Sequence, residues 1–144
     1  MQNFVYPVTL TPDKEDGGFV VIFPDLPEAI TQGEDVDDAL TEAADCLEEA
    51  IANRIVTELP IPVPLAGTDM QYTASLSDQM AAKATIYVAM RESGITDAEL
   101  AGRLNCDKEK IQSLINPQSP ADMTYIESVL SGYYSNLQVR PSLI

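Results

Sequence analysis

Apolar and polar positions alternate along the first part of the chain with a period of two. The first such run places apolar side chains at every second position: Phe4, Tyr6, Val8 and Leu10. This period predicts a β-strand with one buried face. A polar loop over residues 13–18 ends in two glycines and leads into a predicted second strand, Phe19–Phe23. A short third strand is predicted over residues 28–32, ending at Gly33.

The period changes to about 3.6 after Gly33, which predicts one amphipathic helix. Its apolar face comprises Val36, Leu40, Ala43, Leu47, Ala50 and Ile51, and its outer face is acidic, with Asp37, Asp38, Glu42, Asp45, Glu48 and Glu49. Prolines at 60, 62 and 64 exclude a continuing helix, although the residues between them can form a short extended edge: Ile61, Val63 and Leu65. Alternation returns for a last strand at Met70, Tyr72, Ala74 and Leu76. The order β-β-β-α-β predicts an α+β fold in which a helix covers a sheet.

From Ser77 onward the pattern is helical throughout. Ser77 is placed to cap a helix that runs to Ser93 and ends at Gly94. Thr96 and Glu99 have the spacing of a capping box for a helix to about Leu104. Asp107 is placed to cap a further helix to about Ile115, and a capping box in residues 119–122 predicts another to about Gly132. We therefore predict two domains, residues 1–76 and residues 77–144.

Charge divides the chain in the same way. Residues 1–80 hold 16 acidic and 2 basic residues, whereas residues 81–144 hold 7 acidic and 6 basic residues, so the net charge of −15 lies almost wholly in the first part. A strongly negative domain repels nucleic acid and speeds encounter with a basic partner. The alternative is that the acidity serves only solubility.

Residues for catalysis are missing from the composition. The chain has no histidine, the commonest general base near neutral pH. The first strand carries no carboxylate of the kind that a two-metal nuclease needs, and no glycine-rich phosphate loop precedes a helix. Cys46 and Cys106 lack metal-ligand spacing, and no run of about 18 apolar residues predicts a membrane span. We expect a cytoplasmic protein without catalytic residues, metal or cofactor.

The segment Gly17–Pro27 joins a glycine turn, a strand and a corner with two prolines, and an acidic helix follows it. This order resembles the signature of HicB-type antitoxins, which neutralise a small RNA-cleaving HicA toxin. The resemblance implies a degenerate ribonuclease H-like fold for residues 1–76 and a basic HicA-like toxin as partner. For the toxin contact we expect corner residues and helix carboxylates: Asp25, Leu26, Glu28, Glu42, Asp45 and Glu49. The helix carboxylates can equally form an ordinary solvated face.

Residues 99–116 resemble the helix-turn-helix of the Cro and phage-repressor family. Ala101 is small where the two helices cross, and Asn105 takes the place of the usual turn glycine because asparagine tolerates left-handed geometry. The resemblance implies operator double-stranded DNA as a partner. It places Lys108, Glu109 and Ser113 at base edges, Gln112 beside them and Lys110 near phosphate. Arg103 and Lys83 are expected to be phosphate contacts or surface charges.

A near-neutral helical domain binds DNA weakly as a monomer, so we expect a homodimer or higher oligomer that reads an inverted repeat. Residues beyond the fourth helix can form the dimer contact or a packed tail: Tyr133, Tyr134, Leu137 and Val139. The favoured function is an antitoxin that represses its own operon. The alternatives are a stand-alone repressor whose first domain senses a small molecule, and an adaptor whose helix-turn-helix does not bind DNA.

Overall fold

The computed structural model describes residues 4–64, 71–120 and 122–136. Its elements confirm the predicted α+β class and the order β-β-β-α-β followed by helices. The strands are β1 Val5–Pro12, β2 Phe19–Phe23, β3 Leu26–Gly33 and β4 Tyr72–Ser75, and the helices are α1 Val36–Val56, α2 Asp78–Ser93, α3 Asp97–Leu104, α4 Lys108–Ile115 and α5 Met123–Asn136. Among these residues, no helix is both long and apolar enough to cross a bilayer.

The contacts between residues divide the chain into two compact units. The sheet unit runs to Asn53 and resumes from Pro62 to Ser77, and the helical unit combines Arg54–Ile61 with the helices from Asp78 onward. The predicted functional boundary between residues 76 and 77 stays a prediction.

An antiparallel four-stranded sheet, in the order β3-β2-β1-β4, forms the first unit. Phe4, just before β1, and Tyr6 and Val8 within it are buried as predicted, and Leu10 is half-buried; Pro7, on the opposite face, is buried as well. The phenol of Tyr6 donates to the carbonyl of Pro62 at 2.8 Å, which satisfies its hydroxyl inside the unit. α1 supplies the other buried layer with Ala39, Ala43, Leu47, Ala50 and Ile51.

Glycines at two close approaches set the path from β2 to α1. Gly18 has a φ of +74°, and a Cβ on it would collide with the carbonyl of Gly33. A Cβ on Gly33 would in turn collide with the backbone of Ala39 in α1. Larger residues at either position would push the end of β3 away from the helix.

The beginning of β3 differs from the sequence prediction. The strand starts at Leu26 and not at residue 28, because Phe23 pairs with Leu26 across a two-residue turn while Ile22 pairs with Ile30. This shift in register makes residues 27–29 a bulge in the strand. The predicted extended edge is wrong for residues 61–64, which belong to no strand; Leu65 and Met70 lie outside the described residues.

The helical unit confirms the predicted bounds of α2 and α3 and nearly those of α4. Its core joins all four helices through side chains that include Ile86, Leu100, Ile111, Leu114 and Ile126. Asn105 has the predicted left-handed conformation, with φ 56° and ψ 48°. α5 begins three residues later than predicted, since Asp122 and not Ser119 accepts the capping bond, from the backbone N–H of Tyr125, and it runs to Asn136 and not to about Gly132. Leu137, Val139 and the side chains of Tyr133 and Tyr134 lie outside the described part of the chain.

Candidate protein and DNA interfaces

Carboxylates on the outer side of α1 form the first candidate interface. Glu42, Asp45 and Glu49 follow one another at spacings of three and four, so they share one helical face. With Ile30, Thr31 and Cys46 they line a hollow of about 140 Å³. The structure thus brings these three predicted residues together beside the edge strand β3.

Glu28, on β3, belongs to the same surface. Burial raises the pKa of the half-buried Cys46 thiol, and the carboxylates of Glu49 and Glu28 raise it further. Both carboxylates are therefore close enough to Cys46 to disfavour a thiolate. We call Glu28, Glu42, Asp45 and Glu49 the acidic surface.

A second hollow, of about 630 Å³, continues the negative charge toward the loop between β1 and β2. Thr31 and Glu42 line both hollows, and the second is also lined by Asp16, Glu34 and Asp38. Asp16, Glu34 and Asp38 are not among the residues predicted for the toxin contact. The pattern placed Asp16 in a loop, Glu34 between two elements and Asp38 on the predicted helix, and the pairing of β3 with β2 brings them together. Within the described residues, no group of three or more acidic or cysteine side chains could hold a metal ion.

Two side-chain hydrogen bonds hold the turn at the start of α1, the helix that carries most of the acidic surface. The carboxylate of Asp35 accepts from the backbone N–H of Asp38 at 2.8 Å, and the carboxylate of Asp38 accepts from that of Glu34 at 2.8 Å. These two bonds satisfy backbone donors around the helix start, where acidic side chains are also favoured by the helix dipole. The capping arrangement was not predicted, although Asp35 followed three residues later by Asp38 was a signal for it.

Two corner residues of the predicted toxin contact lie in different environments. Leu26 was expected at the toxin contact, but it is 0% exposed and its side chain lies in the core of the sheet unit. The reason is its pairing with Phe23, which turns Leu26 inward as the first residue of β3. Asp25, in the turn, is half-buried.

The outer face of α4 forms the second candidate interface. Lys108, Glu109, Gln112 and Ser113 are exposed, whereas Ile111 and Leu114 are buried in the helical unit. Gln112 donates from Nε2 to Oδ2 of Asp97 at 3.0 Å, which ties the face of α4 to the start of α3. Lys110 lies to one side, with its Nζ 4.3 Å from the centre of the Tyr125 ring. α4 therefore presents a polar face of four residues flanked by an anchored lysine.

Caps at the two helix starts differ. Thr96 accepts from the backbone N–H of Glu99 at 3.1 Å, and its hydroxyl donates to the Glu99 carboxylate at 3.2 Å. This confirms the predicted threonine cap. Asp107 has the extended backbone of an N-cap residue but makes no side-chain capping bond to α4, contrary to expectation.

Lys83 is not the surface charge that the sequence suggested. It is 3% exposed, and its ammonium lies within hydrogen-bonding distance of three backbone carbonyls. Burial lowers its pKa. Because its donors are taken by these carbonyls, Lys83 is not placed to contact DNA phosphates.

The chain thus combines an antiparallel sheet and an acidic helix with several short helices. Its sequence was compared with those of known protein families and proteins. Residues 5–85 match the family model described as HicB-like antitoxin of bacterial toxin-antitoxin system. The chain belongs to this family of antitoxins. The matched range ends within α2, so α3 to α5 lie beyond it.

Individual relatives extend the similarity. Antitoxin HicB of Escherichia coli is 41% identical over 116 residues, covering 77% of this chain and 80% of the relative. Antitoxin HicB 1 of Photorhabdus laumondii is 33% identical over 131 residues, covering 91% of this chain and 83% of the relative. Antitoxin HicB 2 of the same organism is 28% identical over 138 residues and covers 96% of both chains.

Proposed function

We propose that this antitoxin neutralises a basic, HicA-type RNA-cleaving toxin through its sheet unit and represses its own operon through its helical unit. The observation that carries the proposal is the segregation of charge. Four carboxylates are gathered on one surface of the sheet unit, whereas the helical unit exposes a polar helix face. A binding role without catalysis fits both surfaces.

The acidic surface suits a partner that normally binds RNA. An RNA-cleaving protein carries cationic groups where it binds phosphates. The carboxylates spaced along α1 can form ion pairs with those groups in place of the substrate phosphates. The contact would comprise Glu28, Glu42, Asp45 and Glu49, with Asp25 at its margin. Leu26 is left out because its side chain is buried.

The face of α4 suits the major groove of DNA. An α-helix fits this groove, where a lysine can hydrogen-bond to guanine and a glutamine to adenine. Lys108, Glu109, Gln112 and Ser113 are the proposed base contacts, and Lys110 the proposed phosphate contact. Because the second part of the chain is nearly neutral, a homodimer on two half-sites about 34–36 Å apart would supply the affinity that one copy lacks.

Co-expression with the basic protein encoded beside it tests the toxin arm. The full chain should restore growth and copurify with that protein. A variant with Glu42→Gln, Asp45→Asn and Glu49→Gln should do neither. A control with Glu15→Gln, Glu92→Gln and Glu127→Gln removes the same charge from exposed positions elsewhere and should protect like the original chain. Equal protection by both variants would contradict the proposed toxin surface.

A further inference from the structure

Lys83, in the middle of α2, is a lysine whose side chain is almost completely buried. Lysine is among the side chains that are almost never fully buried unless they are paired, because the desolvation of an ammonium is costly. Here only 3% of the side chain is exposed. The residue therefore needs partners that compensate for lost water.

Its partners are the backbone carbonyls at the end of α4 and in the loop that follows. Nζ lies 2.7 Å from the Asn116 oxygen, 3.0 Å from that of Ser119 and 3.5 Å from that of Ser113. An ammonium has three donors, and the three carbonyls supply one acceptor for each. The last carbonyls of a helix lack hydrogen-bond partners within the helix and lie at the negative end of its dipole. A cation there is therefore favoured both by hydrogen bonds to these carbonyls and by attraction to the dipole.

The other polar anchors of α4, the Gln112–Asp97 bond and the contact of Lys110 with Tyr125, lie before its last residues. The helix is eight residues long, which is too short for stability in isolation, and the side chain of Asp107 does not cap its start. Ile111 and Leu114 hold one face in the core. The bonds from Lys83 to the carbonyls of Ser113 and Asn116 add a fixed position for the end of the helix.

We propose that Lys83 is the positioning residue for α4: by holding the end of this helix and its following loop to α2, it sets the direction in which Lys108, Gln112 and Ser113 project. This inference rests on the proposed binding of operator DNA. Lys83 itself does not touch DNA, since its ammonium is enclosed by the carbonyls that it binds.

Replacement of Lys83 by methionine tests this role, because methionine keeps most of the apolar stem and removes the donors. In the Lys83→Met chain, amides from Ile115 to Ser119 should exchange with deuterium at least about tenfold faster, while those of the sheet unit are unchanged. Affinity for the operator should fall at least about tenfold, and binding to non-operator duplex should change much less, because the loss is one of orientation and not of phosphate contacts.

Two further variants separate positioning from stability. Val129→Ala weakens the same core from α5, and at a temperature at which it is fully folded it should keep the original operator affinity. Lys83→Arg keeps the charge and several donors and should restore part of the affinity that Lys83→Met loses. If Lys83→Met does not fold, Lys83→Gln replaces it in the same comparison.

Operator affinity and amide exchange in Lys83→Met that equal those of Val129→Ala would overturn the positioning role. A full chain that retains no operator DNA at all would instead contradict the proposed repressor function. In that case the exchange measurement still decides whether Lys83 orders α4, since it requires no DNA.

Discussion

The side-chain amide of Gln112 in α4 donates to the carboxylate of Asp97 at the start of α3, with 3.0 Å between Nε2 and Oδ2. The other oxygen of the same carboxylate accepts from the backbone N–H of Ala98 at 2.8 Å. Asp97 is therefore held in place and in turn orients Gln112. Because Gln112 lies on the face that we propose meets base edges, this bond selects the side-chain direction before DNA arrives.

Asp97→Ala should reduce discrimination between operator and scrambled DNA by about threefold to tenfold. The reason is that an unrestrained glutamine loses more side-chain freedom when it binds a base. Stability should change by less than about 1.5 kcal/mol, since the bond is exposed. Asp97→Asn, which keeps an acceptor oxygen, is the control. The measurement is a titration of each variant with operator and with scrambled duplex. If Asp97→Ala discriminates between the two duplexes as well as Asp97→Asn does, Asp97 does not orient Gln112.

Gly33→Ala should destabilise the sheet unit by about 1–3 kcal/mol, the usual cost of inserting atoms into a packed site. The added Cβ would meet the backbone of Ala39, which cannot move without displacing α1. The matched control is Gly102→Ala, whose Cβ meets open space within α3 and should stabilise by about 0.5–1 kcal/mol. Urea unfolding of both variants measures the difference, and equal midpoints would contradict the close approach.

Alkylation of Cys46 should report the acidic surface directly. In a Cys106→Ser background Cys46 is the remaining thiol of the chain, and its raised pKa should shift the rate profile of iodoacetamide to higher pH than that of a free cysteine. Glu49→Gln should shift the profile back toward lower pH, whereas Glu127→Gln should leave it unchanged. A profile insensitive to Glu49 would mean that this carboxylate does not face the thiol.

The same shift has a consequence for stability. Because the folded pKa of Cys46 lies above the unfolded value, folding favours the protonated thiol. This contribution to stability is fully present below the unfolded pKa, and it is lost as pH rises through the folded pKa. Urea unfolding at stepped alkaline pH should show a larger loss in the Cys106→Ser chain than in a chain that also has Cys46→Ser, because burial also raises the pKa of Tyr87 in both chains.

Lys108→Ala should lower the salt dependence of operator binding. Each cationic contact to DNA releases about one counterion, so the slope of log affinity against log salt should fall by about 1 if Lys108 lies at the duplex. Lys14→Ala, in the loop between β1 and β2, removes the same charge from the sheet unit and should leave the slope unchanged. A common slope for both variants would place Lys108 away from DNA.

Local pattern was enough to predict most of the fold. β2, α2 and α3 have the expected bounds because glycine turns, threonine capping and periodicity all agreed over short segments. α1 runs beyond its predicted face to Val56, since the sequence has no stop signal before the prolines. The inward position of Leu26 could not be predicted, because it depends on which residue of β3 pairs with Phe23.

The candidate site was predictable only where one element carries it. Glu42, Asp45 and Glu49 follow from helical spacing, whereas the approach of Glu28 to Cys46 requires the paired sheet. Lys83 was misassigned for a related reason. Its acceptors lie 30 to 36 residues further along the chain, and no periodicity within α2 indicates that all sides of the helix are covered.

If toxin and DNA are bound by separate surfaces of one chain, as we propose, affinities for both ligands measured on two variants of the full chain should change independently. Glu42→Gln with Asp45→Asn and Glu49→Gln should weaken binding of the basic toxin by about thirtyfold, at roughly 0.7 kcal/mol for each lost charge pair, and leave operator affinity within about threefold. Lys108→Ala with Ser113→Ala should do the reverse. If either variant lost both affinities while remaining folded, or neither lost any, the division between the two surfaces would be contradicted.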